Sequence, residues 1–302
     1  MNEQPLTTEK RNVETMNLDE LTIGEILSIM NRQDEHVIQA VAQVLPTVKK
    51  VIMKVVDNLL YGGRIFYVGA GTSGRLAMMD AAECPPTFMT DPLLVQTIMA
   101  GGNSAFFHAV ENAEDDSEAG KRDVAEKSIT KWDTVIGITA SGTTPYTIGA
   151  IKHAKSKGAF TVSLTSNRNS ELGQYTDEAI EVEVGPEILT GSTRLKAATS
   201  HKMILNMIST ITMVKLGKVY ENLMVDVYAS NKKLVERAKR IVMMSTNCPL
   251  EQAEQILNKT NFAVKPAIVM LKTNADFEKV QETLAELNGN TKQAIAKLSS
   301  SL

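Results

Sequence analysis

Apolar side chains recur at helical spacing over the first sixty residues. Ile23, Ile26, Leu27 and Met30 follow Leu18-Asp19-Glu20. The pattern predicts a first helix there and a second over residues 34–60, which Pro46 kinks or divides because proline has no N–H to give. Gly62-Gly63 breaks the pattern, and short apolar runs then alternate with helical stretches. Residues 64–68 read as a strand entering Gly69-Ala70-Gly71-Thr72-Ser73-Gly74, followed by a short helix stopped by Pro85-Pro86. Residues 95–99 read as a second strand closed by Gly101-Gly102, and a helix beginning near Asn103 carries His108, Val110 and Glu114. Residues 134–138 predict a third strand running into Ala140-Ser141-Gly142-Thr143-Thr144-Pro145. A helix to Lys157 follows, capped by Gly158, then strands at 160–164 and 179–184. Strands separated by helices imply an α/β fold, a doubly wound parallel sheet of five strands flanked by helices.

After Gly191-Ser192-Thr193 a helix rich in Met, Leu and Ile reaches about Leu216, and from about Asn231 the pattern is helical throughout. Residues 240–298 predict a compact three-helix module, broken near Asn247-Cys248-Pro249 and Asn261-Phe262. The expected organisation is N-terminal helices over residues 1–60, a sheet domain with its long helix over 61–230, and a C-terminal helical module over 240–302.

Composition narrows the classes of function. A chain of 302 residues, 43% hydrophobic and 22% charged, is an ordinary globular protein with room for one large domain and a smaller one. A net charge of −3 gives no reason to expect nucleic acid or an anionic membrane as partner. No apolar run approaches the ~20 residues that span a bilayer, and the opening MNEQPLTTEKRN lacks the apolar centre of a signal peptide. Two cysteines, Cys84 and Cys248, suggest no disulfide framework, and a cytoplasmic location is expected. His36, His108, His153 and His201 show no metal-ligand spacing, so no metal site is expected.

Gly69-Ala70-Gly71-Thr72-Ser73-Gly74 has the GxGxxG spacing between a strand and a helix. A dinucleotide fold also needs an acid at the end of its second strand, to hold the ribose hydroxyls. Here that strand ends Met99-Ala100-Gly101-Gly102, and Asp91 lies before it. Neither loop continues as GKS or GKT, which excludes a nucleotide P-loop. The third strand ends in a second hydroxyl-rich turn, Ser141-Gly142-Thr143-Thr144. Two such turns at strand carboxyl ends bring N–H groups and hydroxyls to one crevice, and helix N-termini favour a compact anion there. For either loop alone, glycines that merely permit a tight turn are an equal account.

This arrangement resembles the sugar isomerase (SIS) domain, whose Ser/Thr-rich turns hold the phosphate of a phosphosugar. The resemblance implies a phosphate site at Ser73 and Ser141, supported by Thr72, Gly142, Thr143 and Thr144. Longer motifs carry it further. Gly69-Ala70-Gly71-Thr72-Ser73-Gly74-Arg75-Leu76, Ala82-Glu83-Cys84-Pro85-Pro86-Thr87 and Ala109-Val110-Glu111-Asn112-Ala113-Glu114-Asp115 are similar to the N-acetylmuramic acid 6-phosphate etherases. Gly185-Pro186-Glu187-Ile188-Leu189-Thr190-Gly191-Ser192-Thr193-Arg194-Leu195-Lys196 resembles a signature that family shares with glucokinase regulatory proteins. Residues 8–12 and 217–226 also resemble the family, so the likeness covers almost the whole chain.

The resemblance implies a lyase without cofactor or metal, active in cell-wall amino sugar catabolism. Such an enzyme eliminates D-lactate from C3 of the open-chain sugar, then adds water to give N-acetylglucosamine 6-phosphate. The C1 aldehyde acidifies the C2 proton, and two carboxyls with separated pKa values act as base and acid. By resemblance, Glu83 is the acid at the lactyl oxygen, Glu114 is the base at C2, and the protein is a homodimer with its crevice near the interface. Spacing alone does not select Glu114 from Glu111, Asp115, Asp116 and Glu118, a cluster that otherwise reads as a solvated face. Glu83 alone would read as an exposed carboxylate at a helix end.

Several residues admit two accounts. Cys84 adjoins the acid, but the sequence supplies it no base, and it reads as a small buried hydrophobe. Ser192 is a natural N-cap for the long helix. Arg194 and Lys196 either reach an anionic substrate or stay solvated, and Glu187 is a further candidate for lining the site. Met203, Met207 and Met213 fit packing or a subunit interface. An isomerase of the same fold and a non-catalytic sugar-phosphate sensor are the competing functions. The 82–87 motif gives the first no support, and such sensors carry two sugar-binding domains in a longer chain.

Overall fold

The computed structural model describes residues 6–227 and 231–300. Short 3-10 turns at Thr7–Glu9, Val13–Thr15 and Leu18–Glu20 lead into a single helix, α1 (Ile23–Leu60). Thr22 opens it with a capping box: its hydroxyl accepts from the Glu25 N–H, and the Glu25 carboxylate accepts from the Thr22 N–H. The division expected at Pro46 does not occur. An interior proline costs about 3 kcal/mol, and a long buried stripe outweighs it. Val37, Val41, Val48, Val51, Ile52 and Val55 are all buried along one side of this helix.

Five strands follow, β1 (Ile65–Gly69), β2 (Val95–Met99), β3 (Thr134–Ile138), β4 (Phe160–Thr165) and β5 (Glu178–Glu181). All pair in parallel, in the order β2-β1-β3-β4-β5, which is the doubly wound sheet the apolar runs predict. Every residue of β1 and β3 is buried, as in a sheet covered on both faces. The accompanying helices are α2 (Gly71–Phe88), α3 (Ser117–Ala125), α4 (Pro145–Ser156), one-turn α5 (Glu171–Gln174) and long α6 (Lys196–Lys215). Phe66, Val68, Val135, Tyr146, Ile151 and Leu172 belong to one packed core. The buried Asp80 accepts from Tyr67 Oη at 2.9 Å, Asn206 Nδ2 at 2.8 Å and Ser209 Oγ at 3.0 Å. That carboxylate ties β1, α2 and α6 together with both oxygens satisfied.

Two helices differ from expectation. α2 runs through Pro85 and Pro86 to Phe88 instead of stopping before them. Proline's φ is helical, so prolines in a last turn forgo N–H bonds without breaking the backbone path. The helix expected from Asn103 is absent. Turns at Gly102–Phe106 and Ala113–Asp115 replace it, and α3 starts only after Asp116. Gly101, Gly102 and Asn112 all have positive φ, and the Asp116 carboxylate accepts from the Ala119 N–H at 2.8 Å. These residues stop the backbone where side-chain spacing suggested continuity.

The chain forms two compact units, Met1–Ala81 with Leu93–Ser209, and Ala82–Pro92 with Thr210–Leu302. The first contains the sheet. The second contains a hairpin, β6 (Val219–Tyr220) and β7 (Leu223–Met224), and the helices α7 (Lys232–Thr246), α8 (Leu250–Lys259), α9 (Val264–Thr273), α10 (Phe277–Glu286) and α11 (Thr291–Ser299). Five helices therefore stand among the described residues where three were expected. Breaks at Asn247 and at Asn261-Phe262 are as predicted, all three residues having positive φ. The unforeseen breaks fall at Asn274 and at Asn288-Gly289, and each precedes a new cap, Asp276 on the Lys279 N–H and Asn290 on the Gln293 N–H. No helix of the described residues is long and apolar enough to cross a membrane.

Candidate functional site

In the strand order β2-β1-β3-β4-β5 the winding reverses between β1 and β3, and connections leaving their carboxyl ends diverge to open a crevice. A cavity of about 180 Å³ lies there. The β1–α2 turn lines it with Ala70, Gly71, Thr72 and Ser73, and the β3–α4 turn with Thr139, Ala140, Ser141 and Thr144. Glu9, Glu114, Gly191, Thr193, Ala198 and His201 complete the wall together with Ile138.

Contacts within the protein hold both turns. At Gly74 a Cβ would lie 2.8 Å from Met99 Cγ and 3.0 Å from the Gly69 carbonyl, so glycine lets α2 start close against the strand ends. The first turn of α2 holds no acid to offset its positive end. In the other turn, Ser141 Oγ accepts from Thr143 N–H at 3.2 Å and Thr143 Oγ1 at 3.1 Å. Thr139 Oγ1 sits 3.2 Å from Ser141 Oγ and 2.7 Å from Thr144 Oγ1. Asn167 buttresses the turn, its Nδ2 donating to the Ala140 carbonyl at 2.9 Å and its Oδ1 accepting from the Thr7 N–H at 2.7 Å. The result is a fixed array of hydroxyls and N–H groups, with no lysine or arginine among the lining residues.

Of the residues singled out from the sequence, Thr72, Ser73, Ser141, Thr144 and Glu114 meet in this cavity. Gly142 and Thr143 belong to the second turn without lining the cavity. Glu83 is exposed on α2 and belongs to the second unit, and its neighbour Cys84 is buried, as expected of a small hydrophobe. Glu187, Ser192 and Lys196 do not line the cavity, and two of them do something the sequence did not suggest. Buried Glu187 caps α6, its oxygens accepting from the Lys196 N–H at 3.0 Å and the Ala197 N–H at 2.9 Å. Ser192 cannot take that role because α6 begins later, at Lys196. Lys196 is itself buried, with Nζ donating to Gln33 Oε1 at 2.9 Å, so it is neither solvated nor in the cavity. Burial holds the Glu187 carboxyl above its usual range, against the pull of those two N–H bonds, and holds the Lys196 ammonium below its own.

Glu9 and His201 line the cavity without having been singled out as site residues. Glu9 lies within the family-like segment 8–12, which was the available signal. His201 stands in an apolar helix that gave none. Its Nε2 is 3.0 Å from Ser166 Oγ, and the Thr165 backbone also engages the ring. Burial pushes this imidazole down to about 4, so it is neutral at pH 7. An unfolded histidine titrates near ~6.5, so between about 6.5 and 4 the unfolded chain binds the extra proton and stability falls as pH falls. The loss should reach about 3 kcal/mol at the acid end. Urea midpoints of the wild type and His201→Asn across pH 7 to 4 should diverge in slope below about pH 6.5. Parallel curves would dismiss His201 as the titrating group. Among the described residues no three His, Cys, Asp or Glu side chains gather as a metal site.

Comparison with known proteins gives this chain relatives. Residues 43–155 match the family described as the glucokinase regulatory protein N-terminal SIS domain, and residues 109–210 match the SIS domain. The chain is 55% identical to N-acetylmuramic acid 6-phosphate etherase 1 of Bacillus licheniformis, over 87% of this chain and 86% of that one. It is 52% identical to N-acetylmuramic acid 6-phosphate etherase 2 of Lactiplantibacillus plantarum, over 88% and 90%. Among solved structures, a phosphoheptose isomerase from Neisseria gonorrhoeae aligns with a TM-score of 0.49 and 17% identity, over 63% of this chain and 98% of that one.

Proposed function

The chain belongs to the N-acetylmuramic acid 6-phosphate etherases, and on that premise we propose that it cleaves the D-lactyl ether of this sugar phosphate with Glu114 as base and Glu83 as acid. It is a carbon–oxygen lyase of cell-wall amino sugar recycling, and its products are D-lactate and N-acetylglucosamine 6-phosphate. In the open-chain sugar, Glu114 takes the C2 proton, whose acidity the C1 aldehyde raises. The electron pair forms the C2–C3 double bond, the C3–O bond breaks, and Glu83 gives a proton to the departing lactyl oxygen. Water then adds at C3 and C2 regains a proton, with the two carboxyls working in reverse. No cofactor enters this scheme.

What carries the reading is the meeting of Glu114 with a hydroxyl cradle in one cavity. The C6 phosphate is held by Ser73 and Ser141, helped by Thr72 and Thr144 and by the N-termini of α2 and α4, while Thr143 supports it by donating to Ser141 Oγ. Gly142 gives the second turn its shape. Glu187 and Lys196 serve the site from behind by fixing the start of α6, from which Ala198 and His201 reach the cavity, and Ser192 lies in the loop between Gly191 and Thr193 that lines it.

The same reading includes a homodimer in the cytoplasm. Ile23, Leu27, Ile38, Leu45, Met53 and Leu60 of α1 are all exposed. At about 100° per residue they fall within an arc of about 120°, a stripe suited to a second copy.

The decisive assay mixes chelator-treated protein with N-acetylmuramic acid 6-phosphate and follows D-lactate. Catalytic release is expected; binding without release would return the isomerase or sensor. Glu83→Gln should lower lactate release by about 10²-fold or more while sparing deuterium exchange at C2. Wild-type release by that variant would remove Glu83 from the acid role.

A further inference from the structure

A second cavity, of about 260 Å³, adjoins the first, and the two share Ala70, Gly71 and Glu114. Its wall is mixed: Met99, Ala105 and Val110 supply apolar surface, and Arg75, His108, Glu111, Asn112 and Glu114 supply polar groups. Arg75 is half-buried near the start of α2. Its Nε donates to the Phe106 carbonyl at 3.2 Å and its Nη2 to the His108 carbonyl at 3.4 Å. A guanidinium has five N–H donors, so these two bonds orient the group and leave donors for a ligand. Arg75 enters no ion pair among the described residues.

An oriented guanidinium held in no ion pair, beside the apolar side chains of Ala105 and Val110, suits a small carboxylate carrying a methyl group. We propose that Arg75 binds the carboxylate of the lactyl group in this second cavity, and thereby distinguishes the substrate from phosphosugars that lack it. The inference rests on the reading of the site given above. With Glu114 at C2 and the phosphate in the first cavity, the C3 substituent lies one bond beyond the reacting carbon, and Glu114 is one of the three residues that line both cavities. The lactyl methyl meets Ala105 and Val110. The neutral N-acetyl group makes no use of a positive charge. Glu111 and Glu114 line the same cavity, so without Arg75 a carboxylate there would face two like charges. Arg75 therefore decides whether the lactyl group is held or repelled.

The test compares two ligands on wild type and Arg75→Gln, after D-lactate release by the wild type has been checked. A charged hydrogen-bonded contact is worth about 1.5–3 kcal/mol, so KM for N-acetylmuramic acid 6-phosphate should rise about 10- to 100-fold in the variant. The inhibition constant of N-acetylglucosamine 6-phosphate, which has no lactyl group, should stay within about twofold. Equal losses for both ligands would mean that Arg75 only holds the 106–108 backbone, and would overturn the proposal. A substrate analogue with the lactyl carboxylate converted to a carboxamide gives an independent arm. The wild type should bind it about 10- to 100-fold more weakly than the acid, and Arg75→Gln should not discriminate. A carboxamide that the wild type binds as tightly as the acid overturns the proposal even if the variant does not fold. A wild type that binds both phosphosugars and releases no lactate overturns the etherase reading and this inference with it.

Discussion

Replacing Glu114 with glutamine is expected to stop both deuterium exchange at C2 and lactate release, lowering kcat by about 10²- to 10⁴-fold, the usual contribution of a general base. Glutamine keeps the shape of the side chain and loses only the ability to take a proton. The hydroxyl cradle is built from other residues, so KM should move by no more than a few-fold. This separates Glu114 from Glu83, whose loss should block departure of the lactyl oxygen and leave C2 exchange running. Asp115, exposed and outside the cavity lining, is the control, and Asp115→Asn should stay within about twofold of wild type. Glu9 is the other carboxylate of the cavity and the natural rival. NMR of the C2 position in deuterated water decides between them. Exchange lost in Glu9→Gln and kept in Glu114→Gln would transfer the base role to Glu9.

The sheet was legible because its strands are buried on both faces and read as continuous apolar runs, as Ile65–Gly69 and Thr134–Ile138 do. The meeting of the two hydroxyl-rich turns in one cavity was legible because each sits where a strand hands over to a helix. Residues 103–116 were misread as a helix because spacing reports side chains, while the left-handed Asn112 and the capping Asp116 act on the backbone. At Pro46 the burial of a long face outweighs the lost N–H bond, whereas Pro85 and Pro86 fall in the last turn of α2, where the helical φ of proline keeps the backbone path. Lys196 departs from expectation for a different reason. Its partner Gln33 lies 163 residues away, so no local pattern warns that this lysine is buried. The cap on α6 is hidden in the same way, since Glu187 reaches the Lys196 and Ala197 N–H groups from outside the helix. The choice of Glu114 over its acidic neighbours came from family resemblance alone; it is the member of that cluster that lines the cavity with Ser73 and Ser141.

Gly142→Ala is expected to cost stability and phosphosugar affinity together. Gly142 has φ +83, and a Cβ there would overlap the Cβ of Ser170, which has no flexible end to move aside. Ser170 is fixed in turn: its N–H and Oγ both bond Glu181 Oε1, and its Oγ accepts from the Gly173 N–H. The Gly142 carbonyl accepts from the Leu172 N–H at 2.9 Å, so the two segments cannot part without losing that bond. A left-handed alanine costs about 1–2 kcal/mol and overpacking about 1–3, for a destabilisation of about 2–5 kcal/mol in urea unfolding. Relief of the overlap would shift Ser141 and Thr144, and misplacement of such groups by about 1 Å costs on the order of 10²-fold. KM should therefore rise at least about 10-fold with the residual fold intact. Gly71→Ala isolates the backbone share, because φ there is +51 but nothing lies within 4 Å of the added methyl. It should lose only about 1–2 kcal/mol. Ser170→Gly removes the obstructing carbon and costs a few tenths of a kcal/mol as a cap. Combined with Gly142→Ala it should restore much of the stability and the KM. If the double variant is no more stable than Gly142→Ala alone, contact with Ser170 is not what makes glycine necessary in the second hydroxyl-rich turn.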